Sequence, residues 1–412
     1  MISRTSYIYL ILVLLSMMSC CRTERAFDAV LFRNTESDTI PYRIPSLAVL
    51  SDGSILALAD YRHCGSDIGF GRVDIHGRIA RNREWQDPFV LVEGTGVSGA
   101  VDCGFGDAAL AVDRQTGEIL VLSVCGETVY AWPTTTRTNP NRVAMFRSSD
   151  NGRTWEPWKE VTEDVYTLFD ESIHGPVQSC FVTSGKIFQS RTVKVGSHYR
   201  IYAALCARPN GNRVIVSDDF GHTWKALGGK DALAAPAGDE AKCEELPDGS
   251  VVISSRVHGG RIFNIFRYTD ILQCDGAWDV PVFSGADNSG CAAEDNACNG
   301  EILIVPAVRE ADGADVLLAL QSVPLGPQRK SVGIYFKEVT ASETSQTLAS
   351  EWSGPYKVTD KYSAYSTMIA LENGNVAFYY EEGDEAWPKG YDMVFKEIEI
   401  GNITAGKYRS VK

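Results

Sequence analysis

Short runs rich in Val, Ile, Leu and Tyr recur at 54–59, 118–124, 199–206, 250–255, 301–305, 316–321 and 375–380, each bounded by Gly, Asp, Asn or Pro. Runs of this length with such punctuation predict β-strands. Four of them follow the pairs Asp52-Gly53, Thr116-Gly117, Asp248-Gly249 and Asn373-Gly374, whose residues tolerate the positive φ of tight hairpins. No long stretch carries a 3.6-residue period, and 37 glycines and 16 prolines break the chain throughout. The predicted class is all-β.

A longer period lies beneath the strands. Ser148-Ser149-Asp150-Asn151-Gly152-Arg153-Thr154-Trp155 and Ser217-Asp218-Asp219-Phe220-Gly221-His222-Thr223-Trp224 both read SxDxGxTW, 69 residues apart. Weaker copies fall at 81–85, at 268–270 leading to Trp278, and near Trp352, so tryptophans recur every 54 to 74 residues. In such a turn Asp caps backbone amides, Gly takes a conformation other residues avoid, and Trp covers the hairpin with apolar area. Beyond residue 21 this period gives six units. A lone four-stranded sheet cannot bury both faces, so the expected architecture is a six-bladed β-propeller of four-stranded antiparallel blades.

Composition narrows the partners. With 44% hydrophobic and 22% charged residues the chain is neither disordered nor collagen-like. Fifty-three acidic against 39 basic residues give a net charge of -14, the opposite of a nucleic-acid footprint. An anionic ligand would therefore need a local cluster of cations. Arg4, the apolar run 7–18 and the small residues Ser19, Cys20 and Cys21 predict an export signal over 1–21. The run is too short for a transmembrane span. A cysteine after it resembles a bacterial lipoprotein signal, from which Met17 and Met18 depart, so a lipid anchor and plain secretion both stay open. The expected location is periplasmic, outer-membrane-anchored or extracellular. A short linker is expected over 22–37 and a single domain over 38–412. The nine later cysteines are widely spaced, with Cys291 and Cys298 the nearest couple, and neither CxxC nor HExxH occurs. Most are expected to be buried apolar residues. No zinc site, other metal or cofactor is implied.

The SxDxGxTW element resembles the Asp box of bacterial exo-α-sialidases of the glycoside hydrolase family 33 type, and Tyr42-Arg43-Ile44-Pro45 resembles the YRIP motif that opens their propeller. The resemblance spans about 38–400. Asp boxes also occur in noncatalytic propellers, so the weight falls on dispersed polar residues. A sialic acid carries a carboxylate on its anomeric carbon, and three guanidiniums suit that permanent anion because each offers paired donors and stays protonated. The resemblance assigns this task to Arg43, to Arg256 in Ser254-Ser255-Arg256, and to Arg329 in Gly326-Pro327-Gln328-Arg329. It makes Asp67, in Arg62-His63-Cys64-Gly65-Ser66-Asp67-Ile68, the acid/base that protonates the leaving oxygen and then activates water. Ile68 and Phe70 beside it are expected to raise its pKa by desolvation.

A carboxylate nucleophile would meet the substrate's own carboxylate, whereas a phenol avoids that repulsion. Tyr365, in Ser363-Ala364-Tyr365-Ser366-Thr367, matches the family's nucleophile. Glu240, in Gly238-Asp239-Glu240-Ala241-Lys242, matches the glutamate that draws off its proton, although Cys243 and Glu244 replace apolar residues after it. Arg62 and Asp107 resemble an accessory pair near the sugar's 4-hydroxyl, and Glu381 resembles the glutamate that orients the first arginine. The loop 128–141, with Trp132, is a candidate wall for the N-acyl and glycerol arms.

The resemblance implies a retaining exo-α-sialidase acting through a sialyl-tyrosine intermediate on sialylated glycans, glycoproteins or glycolipids. A trans-sialidase, or a hydrolase of a related nonulosonic acid, is the alternative within this chemistry. A noncatalytic glycan- or protein-binding propeller is the alternative outside it. An ordinary glycosidase using Asp239 and Glu240 leaves three separated arginines without a task.

Overall fold

The structure is a computed structural model that describes residues 27–34, 41–385 and 390–411. The expected export signal lies outside the described residues. Each of the seven predicted strands is present: their starts fall within one residue of expectation and their ends run one to four residues further, as in Ile55–Tyr61, Ile302–Arg309 and Val376–Glu382. Those extra C-terminal residues matter, because several of them carry the polar groups described below.

The strands form six sheets arranged as the blades of a propeller. The first blade is Tyr42–Val49, Ile55–Tyr61, Asp74–Arg81 and Glu84–Trp85; the second is Phe105–Val112, Ile119–Cys125, Arg142–Ser148 and Lys159–Glu160. Four-stranded antiparallel cores of the same kind open at Ser179–Val182, Ala241–Glu245 and Ile302–Arg309 for the next three blades. In these five sheets a further strand pairs outside the four-stranded core, and one such strand, Gly185–Lys186, runs parallel to Phe105–Val112. The last blade is built from Ser366–Ala370, Val376–Glu382 and Asp392–Ile398, and its outer strand is Ala29–Phe32 from the start of the chain. The expected linker over 22–37 therefore contains a strand. Phe27, Leu31 and Phe32 are buried against Phe395 and Met393, so burial of these three apolar residues draws this segment into the ring.

Six apolar clusters fill the six seams between neighbouring blades, including the seam between the last blade and the first. The recurring tryptophans serve these seams. Trp85, Trp155, Trp224, Trp278 and Trp352 each pack into the cluster shared with the preceding blade. Beyond the hairpin it was expected to cover, each indole thus also serves an inter-blade seam. The turn chemistry is as the motif predicts. Asp150 accepts from the Thr154 amide at 2.9 Å and hydroxyl at 2.7 Å, and Asp219 accepts from Thr223 at 2.8 and 2.7 Å. Gly152 and Gly221 take φ of +72° and +83°.

All nine cysteines of the described residues are free, eight of them buried and Cys64 half-buried. No group of three or more metal-ligating side chains suited to an ion occurs among the described residues.

Candidate active site

In each blade the first strand starts, and the second strand ends, at the same end of the ring, so residues from distant parts of the sequence meet there. Arg43 opens the strand Tyr42–Val49, Asp107 lies at the start of Phe105–Val112, and Glu240 and Tyr365 immediately precede Ala241–Glu245 and Ser366–Ala370. Arg256 and Glu381 come from the ends of Val251–Val257 and Val376–Glu382. Asp67 and Arg329 sit in connecting loops. A cavity of about 320 Å³ at this end is lined by Arg43, Arg62, Asp67, Asp107, Glu240, Arg256, Arg329 and Tyr365. Of the nine residues singled out in the sequence, Glu381 alone lies behind the wall, fully buried.

Glu381 organises one side of the cavity. One oxygen accepts from Arg43 Nε at 2.6 Å and from the Ile44 amide at 2.8 Å; the other accepts from the Tyr365 amide at 2.9 Å. A single buried carboxylate thus ties the first blade to the last and aims Arg43 at the same time. Ile44 holds φ of +64° where the pairing register slips between Arg43 and Ser46. A β-branched residue in that region is strained, and the bulge turns the Arg43 side chain out of the strand alternation.

The floor is a three-way contact. Tyr365 Oη donates to Glu240 Oε2 at 2.6 Å, Arg256 Nη1 donates to the same oxygen at 2.6 Å, and Arg256 Nη1 lies 3.0 Å from Tyr365 Oη. Burial, and then the charge of Glu240, push the Tyr365 phenol well above its ordinary pKa, while Arg256 opposes them. The guanidiniums of Arg43 and Arg329 stand 5.3 and 5.8 Å from the centre of the Tyr365 ring. Arg329 makes no side-chain hydrogen bond or ion pair with the described residues; buried Cys298 is the foremost of the groups that raise its pKa. Three cations therefore converge on the phenol, and one of them is left open for an anion.

The opposite wall is acidic. Arg62 is buried and is bonded to Asp60 at 3.0 Å, with Asp67 at 3.1 Å and Asp107 at 3.7 Å. Burial raises the pKa of Asp60 to about 6 against the pull of Arg62, and burial with the charges of Asp60 and Asp67 raises Asp107 well above the ordinary carboxylate range. Asp67 behaves differently. Burial works upward on it as well, but Arg62, the Ile68 amide at 2.9 Å, Arg43 and Arg329 hold its carboxyl below the ordinary range. The expected net rise is overturned: burial does act upward, but the cations and the Ile68 amide outweigh it, and Phe70 turns to Trp132.

The cavity also has an apolar wall, of which the sequence named only the 128–141 loop. Val124, Tyr130 and Phe181 line it, with Tyr130 edge-on to Phe181 at 4.9 Å. Tyr130 Oη and Asp239 Oδ1 both lie within reach of the Cys206 thiol, at 3.1 and 3.3 Å. Tyr130 and Asn141 belong to the 128–141 loop named as a candidate wall, whereas Trp132 of that loop stands outside the lining residues. Asp60, two residues before Arg62, was also missed, and its spacing from that arginine was the available signal.

No family model matches the chain. The chain is 26% identical over 359 residues to a sialidase of Micromonospora viridifaciens, covering 83% of this chain and 50% of that one. It is 24% identical over 367 residues to a sialidase of Paraclostridium sordellii, covering 87% and 85%. The chain is a propeller similar in sequence to these sialidases. Among solved structures this sialidase-like fold superposes on the Hadza microbial sialidase Hz136 with a TM-score of 0.70 at 20% identity, covering 90% of this chain and 68% of that one. It matches the intramolecular trans-sialidase of Ruminococcus gnavus with a TM-score of 0.69 at 15% identity, covering 92% and 98%. The sialidase-like chain spans half the length of the Micromonospora relative.

Proposed function

We infer that the chain is a retaining exo-α-sialidase that releases terminal sialic acid from glycoconjugates. The observation that carries this is the contact of Tyr365, Glu240 and Arg256 beside Arg43 and Arg329, facing Asp67 across one small cavity. Arg43, Arg256 and Arg329 bind the substrate carboxylate, which seats the anomeric carbon over the phenol. Tyr365 Oη then attacks that carbon while its proton passes to Glu240. The bond to the aglycone oxygen breaks, and that oxygen takes the proton of Asp67. In the second half Asp67 takes a proton from water, the resulting hydroxide attacks the anomeric carbon, and Tyr365 leaves with the proton held by Glu240. Two displacements on one carbon return the original configuration.

A high-pKa phenol is a poor nucleophile in water. Glu240 at 2.6 Å supplies the base, and Arg256 stabilises negative charge as it grows on the oxygen. Binding also adjusts Asp67. The substrate carboxylate cancels part of the field of Arg43 and Arg329, two of the groups that hold Asp67 low, so the carboxyl takes up its proton more readily when the site is occupied.

Incubation with 2,3- and 2,6-linked sialyllactose, followed by identification of the products, tests this reading. Free sialic acid and lactose are expected. An internally anhydrous sugar, or transfer to added lactose, assigns the chain to the trans-sialidases instead; no release from either substrate contradicts the reading. The 1–21 segment supports a further proposal, that the enzyme acts outside the cytoplasm, and detection of the protein only in the cytoplasmic fraction would oppose it.

A further inference from the structure

Among the described residues, three phenylalanine and tryptophan side chains are exposed: Phe70 at 46%, Trp132 at 50% and Phe283 at 44%. Two of them touch. The rings of Phe70 and Trp132 stand edge to face, 5.5 Å between centroids and 90° between planes. Their backbones are firmly packed. Gly69, with φ of +98°, lies so close to the next loop that a Cβ there would meet Val129 Cγ2 at 2.7 Å and the Thr128 carbonyl carbon at 2.8 Å. The Trp132 amide donates to Val129 O at 3.1 Å, and Arg208 donates to the Trp132 and Thr135 carbonyls at 2.9 and 2.7 Å. Two large rings are thus held in solvent by braced loops. Such an apolar patch bordering a polar cavity marks a surface that is covered in use.

Its position identifies the occupant. Asp67 and Ile68 on one loop, and Val129, Tyr130 and Ala131 on the other, line the cavity, so the paired rings lie just outside it on the Asp67 side. In the proposed reaction Asp67 protonates the oxygen that joins sialic acid to the next sugar, and that sugar must therefore leave past the Asp67 loop. We propose that Phe70 and Trp132 form an aromatic ledge that receives the neutral hexose next to the sialic acid, with the sugar's C–H groups against the exposed aromatic surface. The electron-rich face of an aromatic ring attracts polarised C–H groups and covers apolar area. The ledge rests on the sialidase reading and adds to it a preference for a sugar, rather than any leaving group, beside the scissile bond.

The test compares Trp132→Ala, the double variant Phe70→Ala/Trp132→Ala, and Trp132→Phe with the wild type on 3'-sialyllactose, with free N-acetylneuraminic acid as competitor. The double variant is expected to raise KM for sialyllactose roughly tenfold, and Trp132→Phe to keep most of the affinity. Inhibition by the free acid, which has no second ring, is expected to stay unchanged. An active wild type whose sialyllactose KM is the same in all variants overturns the ledge while leaving the sialidase reading intact. Equal weakening of sialyllactose and free acid also overturns it, because the rings would then support the acid site and not a second sugar. A change from self-association to monomer with unaltered kinetics makes the patch a contact between copies instead. An inactive wild type removes the sialidase reading and the ledge together.

Discussion

At the scale of single residues, the site is governed by how charge is distributed between two walls. Asp67, the proposed acid/base, starts below the ordinary carboxylate range because Arg62, Arg43 and Arg329 face it, and a bound carboxylate would offset two of those cations. The sign follows directly. A general acid must be protonated, so activity falls as pH rises through its pKa, and that pKa is lower in the free enzyme than in the complex. The alkaline limb of kcat/KM should therefore lie at lower pH than that of kcat, and coincident limbs would contradict the account. Asp67→Ala should lower kcat on sialyllactose by about 10²- to 10⁴-fold and cost much less on a substrate whose leaving group needs no proton. Equal losses on both substrates would remove Asp67 from the acid role. Glu381→Gln keeps the shape but removes the charge that Arg43 Nε meets at 2.6 Å; breaking a buried pair of this kind costs about 3–5 kcal/mol, and chemical denaturation should report it together with a raised KM.

At the scale of elements, the turn and the tryptophan are one device with two tasks. The aspartate fixes the hairpin, and the indole that follows is delivered into the seam with the preceding blade. Trp224, 8% exposed between the second and third blades, should cost about 3–5 kcal/mol when replaced by alanine. A thermal melt shifted no more than that of a surface substitution would contradict the wedge role. These elements were legible because their causes are local. An Asp-Gly or Asn-Gly pair restricts its own backbone, so hairpin starts were found within one residue. The strand Ala29–Phe32 was not legible, since four apolar residues without flanking turn signals carry no period, and only the exposed edge of Asp392–Ile398 makes them a strand.

At the scale of the whole molecule, ring closure turns a scattered list of residues into a site. Arg43 and Tyr365 are joined through Glu381 only because the last blade meets the first, and the strand Ala29–Phe32 is part of that junction. Deleting residues 27–33 removes Phe27, Leu31 and Phe32 and should uncover Met393 and Phe395, cost on the order of 5 kcal/mol, and lower activity with stability; a truncated chain with the wild-type melting profile would show that the strand is dispensable. The arginines, Asp67, Glu240 and Tyr365 were legible through the resemblance, which singled each out by the short motif around it where composition alone would not. Phe181 and Val124 were not, because an apolar residue has no signature of its own and becomes a wall only when the blades bring it to one mouth. The central claim is that Tyr365 attacks the anomeric carbon and water then replaces it. Proton NMR of the first sialic acid released from 3'-sialyllactose tests this most directly: the account predicts the α-anomer first with the wild type and nearly no release with Tyr365→Phe, whereas the β-anomer first, or an unimpaired Tyr365→Phe variant, would contradict it.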